Sequence, residues 1–160
     1  MSKYIKEIMG YGFLREVGQG AYGHVYEGED KISKQKVAIK CIQRNQIDRN
    51  DYLYHLLNSE IDIMKQVEHP NVIKFIDVIK SVHNYYLVLE YCDGGDLAEY
   101  VESHEMPEEK CVEFLKQIIS GFKIIRQRRI MHRDFKLENV LLHEGKVKIA
   151  DFGFSKQFHI

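Results

Sequence analysis

Asp151 follows Asn139 by twelve residues, and the interval holds Val140-Leu141-Leu142, then Glu144-Gly145, then Val147-Lys148-Ile149. Two short apolar alternations around a turn leave room for one β-hairpin and for nothing larger. That hairpin starts directly after a loop of unusual density: His132 to Asn139 reads HRDFKLEN and puts an acid, Asp134, a cation, Lys136, and an amide, Asn139, within six positions. The hairpin then delivers a second acid in Asp151-Phe152-Gly153. A lone Asp134 would read as a turn-stabilising carboxylate. The company it keeps suggests chemistry.

Length and charge narrow the field. A chain of 160 residues suits one domain, large enough to bury roughly 68–70% of the surface that its unfolded form exposes. Charged residues make up 29% and hydrophobic ones 44%, with two prolines and no biased tract, which describes an ordered, soluble chain. A net charge of −1 provides no broad field for nucleic acid or anionic lipid, and the basic run Arg126-Gln127-Arg128-Arg129 reads as a solvated helix end. Cys41, Cys92 and Cys111 lack a C-x-x-C spacing, and the charged start MSKYIKEIMGYGF is no signal peptide. Both point to reduced thiols and an intracellular, cytoplasmic setting. No apolar run reaches the roughly 18 residues of a membrane span. The eight histidines show no metal-ligand spacing.

Along the chain, three antiparallel strands are expected at Phe13–Val17, Val25–Gly28 and Val37–Ile42, with turns at Gly18–Gly23 and Asp30–Gln35. Leu53, Leu57, Ile61 and Met64 step by four, four and three, which predicts a helix over 53–67 that His69-Pro70 ends. Strands at Val72–Ile79 and Tyr85–Tyr91 complete a five-stranded sheet, and Cys92-Asp93-Gly94-Gly95 reads as a hinge. Asp96 is placed to cap a short helix through Val101, and Pro107 suits the first turn of the next. In that helix Cys111, Leu115, Ile118, Phe122 and Ile125 form the expected buried stripe.

Two further signals lie upstream of the loop. Gly18-Gln19-Gly20-Ala21-Tyr22-Gly23 has the G-x-G-x-x-G form, in which absent side chains let backbone N–H groups approach phosphate oxygens. A dinucleotide fold needs a helix straight after such a turn, yet His24 to Gly28 reads as a strand. A Walker motif needs lysine and serine or threonine where His24 and Val25 stand. The glycines alone could be an ordinary turn. Val37-Ala38-Ile39-Lys40 ends an apolar strand on an amine, which either snorkels from a sheet edge or meets an anion.

The glycine turn, the V-A-I-K strand, HRDFKLEN and Asp151-Phe152-Gly153, in this order from about Val17 to Lys156, resemble the eukaryotic protein kinase family. Lysine two residues after Asp134 resembles its serine/threonine branch, and Phe154 resembles kinases that favour serine. YCDGGDL at Tyr91–Leu97 with DFGFSK at Asp151–Lys156 is similar to the Unc-51-like branch or to calcium/calmodulin-dependent relatives. The resemblance implies an α+β fold: a five-stranded antiparallel lobe with one helix over residues 1–91, a hinge at 92–95, and the first part of a helical lobe over 96–160. It implies ATP and Mg²⁺ as cofactors and a protein with a serine or threonine acceptor as partner.

By the same resemblance, Asp134 accepts or orients the proton of the attacking hydroxyl and Lys136 touches the γ-phosphate. Lys40 holds the α- and β-phosphates, steadied by Glu60 rather than by Asp62. Asn139 and Asp151 hold magnesium. The nucleotide is lined by Val17, Gly18, Gly20, Gly23, Val25, Ala38, Leu89 and Leu141, with Glu90 and Cys92 offering backbone to the adenine edge. Arg133 is the partner of an activation-loop phosphate, and Met64, Phe75, His132 and Phe152 form a regulatory column. Phe135 and Leu137 depart from the commoner leucine and proline and affect only loop stiffness.

Chains of this family continue beyond the Asp-Phe-Gly segment, so this sequence is expected to be a C-terminally truncated piece of a longer kinase. Placement of reactants can be worth roughly 7–11 kcal/mol, so a chain without its full support is expected to turn over weakly or not at all. The alternative is a non-catalytic nucleotide-binding or partner-interaction module.

Overall fold

A computed structural model describes residues 3–20 and 23–158. Ala21 and Tyr22, inside the glycine turn, lie outside the described residues. The chain divides into two compact units, Met1–His55 with Phe75–Tyr91, and Leu56–Lys74 with Cys92–Ile160.

The first unit is an antiparallel sheet. Its strands are β1 (Lys6–Ile8), β2 (Tyr11–Gly20), β3 (Gly23–Asp30), β4 (Lys36–Gln43), β5 (Phe75–Lys80) and β6 (Asn84–Glu90), in the spatial order β1-β2-β3-β4-β6-β5. The five expected strands are present, and the first three run beyond their expected spans. The strand expected from Val72 starts at Phe75 instead, because Val72 and Ile73 pair with Ile149 in the second unit.

The sixth strand, β1, comes from a segment too charged to look like one. Met9 and Gly10 both take positive φ, 44° and 89°, and form the tight turn that reverses β1 onto β2. Lys6 then lays its ammonium over the Tyr86 ring at 4.7 Å and donates to the Tyr86 hydroxyl at 2.6 Å. An amphipathic lysine so covers an aromatic pair that would otherwise face water.

Directly opposed residues share a sheet face. One face carries Phe13, Val37, Ile39, Ile79, Tyr86 and Val88, all buried, with Tyr26 and Cys41 at its margin. Phe13 meets Tyr26 and Tyr86 edge to face, with centroids 5.4 and 5.8 Å away. The opposite face carries Val25, Ala38, Lys40, Leu87 and Leu89, as the pairs Val25↔Lys40, Lys40↔Leu87 and Ala38↔Leu89 require. A short helix α1 (Arg44–Ile47), not foreseen from the sequence, follows β4 and is fastened by Arg44, which donates to Asp48 and to the Ser81 carbonyl.

Helix α2 (Asp51–Gln66) contributes its second half to the other unit and buries Leu57, Glu60, Ile61, Ile63 and Met64. Helix α3 (Leu97–Ser103) starts as expected, with the Asp96 carboxylate accepting from Glu99 N at 2.9 Å. In α4 (Glu108–Gln127) Pro107 stands one position ahead of the helix, and its carbonyl accepts from Lys110 and Cys111.

The buried stripe of α4 is a correction to the expected one. Phe114, Ile118, Gly121 and Ile125 face inward, while Cys111 is exposed and Leu115 is 55% exposed. The register is decided by Gly121: a Cβ there would lie 2.8 Å from the Asn71 carbonyl oxygen and 2.7 Å from Ile149 Cδ1. A search for apolar side chains passes over the glycine whose smallness lets helix and hairpin meet. The remaining elements are β7 (Ile130–Met131), a 3-10 turn at Leu137–Asn139, the hairpin β8 (Val140–His143) and β9 (Lys146–Ile149), and β10 (Lys156–Gln157), which pairs with β7. Leu97, Phe114, Ile118, Val140, Leu142 and Val147 make the core between helices and hairpin.

Candidate active site

The loop expected to carry chemistry is suspended between β7 and β8. His132 leaves β7 fully buried, and its Nε2 donates to the Ala150 carbonyl at 2.8 Å. Nδ1 has no hydrogen-bond partner among the described residues. The ring stands edge-on to Phe152, 5.1 Å between centroids, and Met64 and Phe152 are equally buried. Phe75 belongs to the sheet unit.

Arg133 adopts φ 65° and Asp151 φ 59°, a left-handed backbone that non-glycine residues occupy at a cost. Neighbouring bonds hold both ends of this strained path. Arg133 Nε donates to the Phe154 carbonyl at 2.6 Å, Ser155 Oγ donates to the His132 carbonyl at 3.1 Å, and Ser155 N donates to the Phe152 carbonyl at 2.9 Å. The loop before Asp134 and the segment after Asp151 are therefore laced to each other. Ser155, only 3% exposed, was not among the residues foreseen. A serine in a polar-looking stretch carries no periodic signal of burial.

Asp134 is held from behind. Asn139 Nδ2 donates to the Asp134 backbone carbonyl at 2.8 Å and to its Oδ2 at 2.9 Å, while Lys136 Nζ stands 3.8 Å from the same oxygen. The 3-10 turn closes with Asn139 N on the Lys136 carbonyl, and Ala150 N bonds the Asn139 carbonyl. Asp134, Lys136 and Asn139 are thus one constellation, with the Asp134 side chain 31% exposed and Lys136 51% exposed.

Asp151 is exposed and its Oδ1 accepts from Gly153 N at 3.3 Å. Glu60 is 7% exposed, and a Cβ on Gly153 would come within 3.2 Å of Asp151 Oδ1 and 3.7 Å of Glu60 Oε2. A side chain there would need the Asp151 carboxylate to give by a few tenths of an ångström. Asp62, the weaker alternative to Glu60, is exposed to solvent.

Magnesium takes oxygen ligands and is commonly held by one or two protein groups, with phosphate and water completing the shell. Among the described residues no cluster of three histidine, cysteine or acidic side chains could hold an ion alone. The donor chemistry fits the two-residue arrangement: Asn139 turns its Nδ2 to Asp134 and keeps Oδ1 for a cation, and Asp151 presents an exposed carboxylate.

In the same unit, Asp93 accepts from Glu144 N and His143 Nδ1 at 3.1 Å each, and the bond from Glu144 N holds its carboxyl below the usual range. Gly94 N bonds the Leu142 carbonyl and Leu142 N the Gly95 carbonyl. The expected hinge is thereby stitched to β8, with half-buried Cys92 and Leu141 beside it. Asn71, another residue the sequence did not single out, anchors β9: its Nδ2 donates to the Val147 carbonyl at 3.0 Å, and its own carbonyl accepts from Ile149.

The sheet unit carries the other expected residues. Gly18 lies opposite Val25 and Gly20 opposite Gly23, and Val17 falls at a register shift between Glu16 and Gly18, 42% exposed. The glycines differ in what they must do. A Cβ on Gly23 would sit 1.7 Å from the Cys41 carbonyl oxygen, whereas one on Gly18 would meet nothing nearer than Val25 Cβ at 4.0 Å. Gly23 is demanded by strand packing, and packing makes no such demand at Gly18. Half-buried Lys40, Ala38, Leu89 and Glu90 occupy β4 and β6.

The sheet of the first unit and the loop, hairpin and Asp-Phe-Gly turn of the second lie within a protein kinase domain profile that matches residues 11–160. The chain belongs to the protein kinase family. It is similar to serine/threonine-protein kinase ATG1c of Arabidopsis thaliana, 38% identical over 98% of this chain and 22% of that protein. Serine/threonine-protein kinase atg1 of Dictyostelium discoideum is 35% identical over 95% of this chain and 24% of its own length. NUAK family SNF1-like kinase 2 of Homo sapiens is 38% identical over 93% and 24%. The chain spans less than a quarter of the length of these relatives. The relatives support the resemblance to the serine/threonine branch and, within it, to the Unc-51-like group. No helix among the described residues is long and apolar enough to cross a membrane.

Proposed function

We propose that this chain carries the nucleotide-binding and catalytic-loop parts of an ATP- and Mg²⁺-dependent serine/threonine protein kinase, with residues 1–91 as the phosphate-cradling lobe, 92–95 as the hinge and 96–160 as the catalytic-loop lobe. The observation that carries the reading is the constellation of Asp134, Lys136 and Asn139, in which the amide orients the carboxylate and a lysine stands beside it. Asp134 receives the proton of a serine or threonine hydroxyl as its oxygen attacks the γ-phosphorus. The bond to the bridging oxygen breaks, and ADP leaves with the electron pair. Lys136 steadies the transferring phosphoryl, Lys40 serves the α- and β-phosphates, and Glu60 takes the ion-pair role that the family resemblance gives it. Asn139 and Asp151 would hold magnesium, which would supply charge neutralisation at the phosphate oxygens. Val17, Gly18, Gly20, Gly23, Val25, Ala38, Leu89 and Leu141, with the backbone of Glu90 and Cys92, serve the nucleotide. Phe154, directly after Gly153, is the residue on which the resemblance to serine-favouring kinases rests.

Two measurements test the proposal. Mg-ATP at millimolar concentration should raise the thermal midpoint of wild type and raise it less in Lys40→Met. Radiolabelled phosphate should pass to a basic acceptor protein in wild type at a rate far below that of a complete kinase domain, and not in Asp134→Asn. Binding without transfer identifies a nucleotide-binding module, and absence of both overturns the reading.

A further inference from the structure

Four side chains meet on the ligand-bearing face of the sheet without belonging to any role above. Glu27 on β3 is 4% exposed although charged. Its Oε2 receives Arg15 Nε at 2.7 Å and the Tyr91 hydroxyl at 3.2 Å, and its Oε1 receives Lys36 Nζ at 2.7 Å. Arg15 Nη2 donates to the Tyr91 oxygen at 3.4 Å, and Lys36 Nζ lies over the Tyr91 ring at 5.4 Å. Glu27 stands directly opposite Ala38, which stands directly opposite Leu89, so the carboxylate belongs to the same transverse row as two of the adenine-lining residues.

A buried carboxylate needs compensation, and here three donors from β2, β4 and the end of β6 supply it. The arrangement exceeds what sheet cohesion asks for. Backbone pairing already joins β2, β3, β4 and β6, whereas Tyr91 is the first residue beyond the ladder and has no strand partner. Its side chain is the part of the chain leaving β6 that the cluster grips, immediately after Glu90.

We propose that Tyr91 is a positioning residue for the base of the nucleotide, locked by the Glu27–Arg15–Lys36 cluster so that the backbone of Glu90, one of the two groups assigned to the adenine edge, keeps one geometry. The inference rests on the ATP-site reading given above. Rigidity at this point lowers the ordering cost of binding the base and has no bearing on the phosphates.

Titration calorimetry with adenosine, Mg-ATP and Mg-tripolyphosphate distinguishes the possibilities. Tyr91→Phe keeps the ring and removes the hydroxyl. It should weaken adenosine and Mg-ATP by about two- to tenfold, the ordering cost of a segment no longer pre-set, and leave tripolyphosphate unchanged. Glu27→Gln should give the same pattern, whereas Lys40→Met should weaken Mg-ATP and Mg-tripolyphosphate and leave adenosine unchanged. In steady-state assays Tyr91→Phe should raise the KM for ATP with kcat kept. Unaltered adenosine affinity in Tyr91→Phe overturns the proposal, as does equal weakening of all three ligands, which marks a general structural role. Wild type that binds neither adenosine nor Mg-ATP removes the ATP-site reading and the proposal with it.

Discussion

Both units place carboxylates in unusual settings, but they treat them oppositely. In the sheet unit Glu27 and Glu29 are buried and saturated with donors: Glu29 takes Lys3 Nζ and the Tyr4 hydroxyl at 2.6 Å each. Lys31 and Glu7 pair across the neighbouring turns. In the loop unit Asp134 and Asp151 stay accessible, are oriented by an amide and a backbone N–H, and sit on or beside left-handed backbone. The first arrangement consumes its charge in holding strands, and at Glu27 the Tyr91 side chain beyond β6, in place. The second keeps charge available and puts the strain into the backbone, where packing of His132, Phe152 and Ser155 sustains it. Carboxylates of the first kind should matter for stability and those of the second for rate.

The sharpest break of that contrast is Asp134→Asn, expected to lower phosphotransfer by about 10²–10⁴-fold while thermal unfolding stays within a few degrees. Retained turnover, or collapse of the fold, would undo the distinction. Next in size are substitutions that strike packing alone. Ile149→Ala, at a fully buried position of β9, should cost about 2–5 kcal/mol in urea titration.

Glu27→Ala tests the other half of the contrast and should cost about 1–3 kcal/mol of stability, read in the same titration. Gly18→Ala separates ligand from fold within the glycine turn. Unfolding should be unchanged because the Cβ meets only ordinary contact, while affinity for Mg-ATP falls. Gly23→Ala should instead destabilise the sheet itself, since its Cβ would strike the Cys41 carbonyl.

The smallest effect is a pH dependence that differs between units. Hydrogen bonds from Lys36 and then Arg15, against the opposing cost of burial, hold Glu27 below the ordinary glutamate value of 4.5. Bonds from Lys3 and Tyr4 do the same for Glu29. A carboxylate with a depressed folded pKa contributes fully above its unfolded value and loses that contribution as pH falls through the folded one. The sheet unit should therefore keep its stability until the pH drops below 4.5. His69 in the other unit is pushed below its ordinary 6.5 by burial and then by Lys148. Its neutral ring stabilises the fold above 6.5, and the contribution declines as pH falls below that value. NMR-monitored urea titrations at pH 7, 5.5 and 4 should show amides around Asn71 and Ser120 weakening first. Simultaneous weakening of both units would count against the assignment.

Much of this was legible in the order of residues. The spacing of Asn139 and Asp151 admits one hairpin, and one hairpin is found. The alternation at the start of β4 and the cap at Asp96 are local rules obeyed locally, and the loop residues could be named because the run HRDFKLEN resembles a family motif. The misjudged parts are those in which the deciding partner is distant in sequence. Strand β1 depends on Phe13 and Tyr86 offering their rings to Lys6, and the stripe of α4 turns on Gly121 approaching Asn71 and Ile149.

The sequence by itself determined which chemical groups are present and at what intervals, because strand period, turn residues and capping act over a few positions. Only the tertiary structure decided which carboxylates are enclosed by cations and which remain open. Burial is a property of what the rest of the chain brings against a residue, and Glu27 and Asp134 carry the same charge in sequence but not the same surroundings.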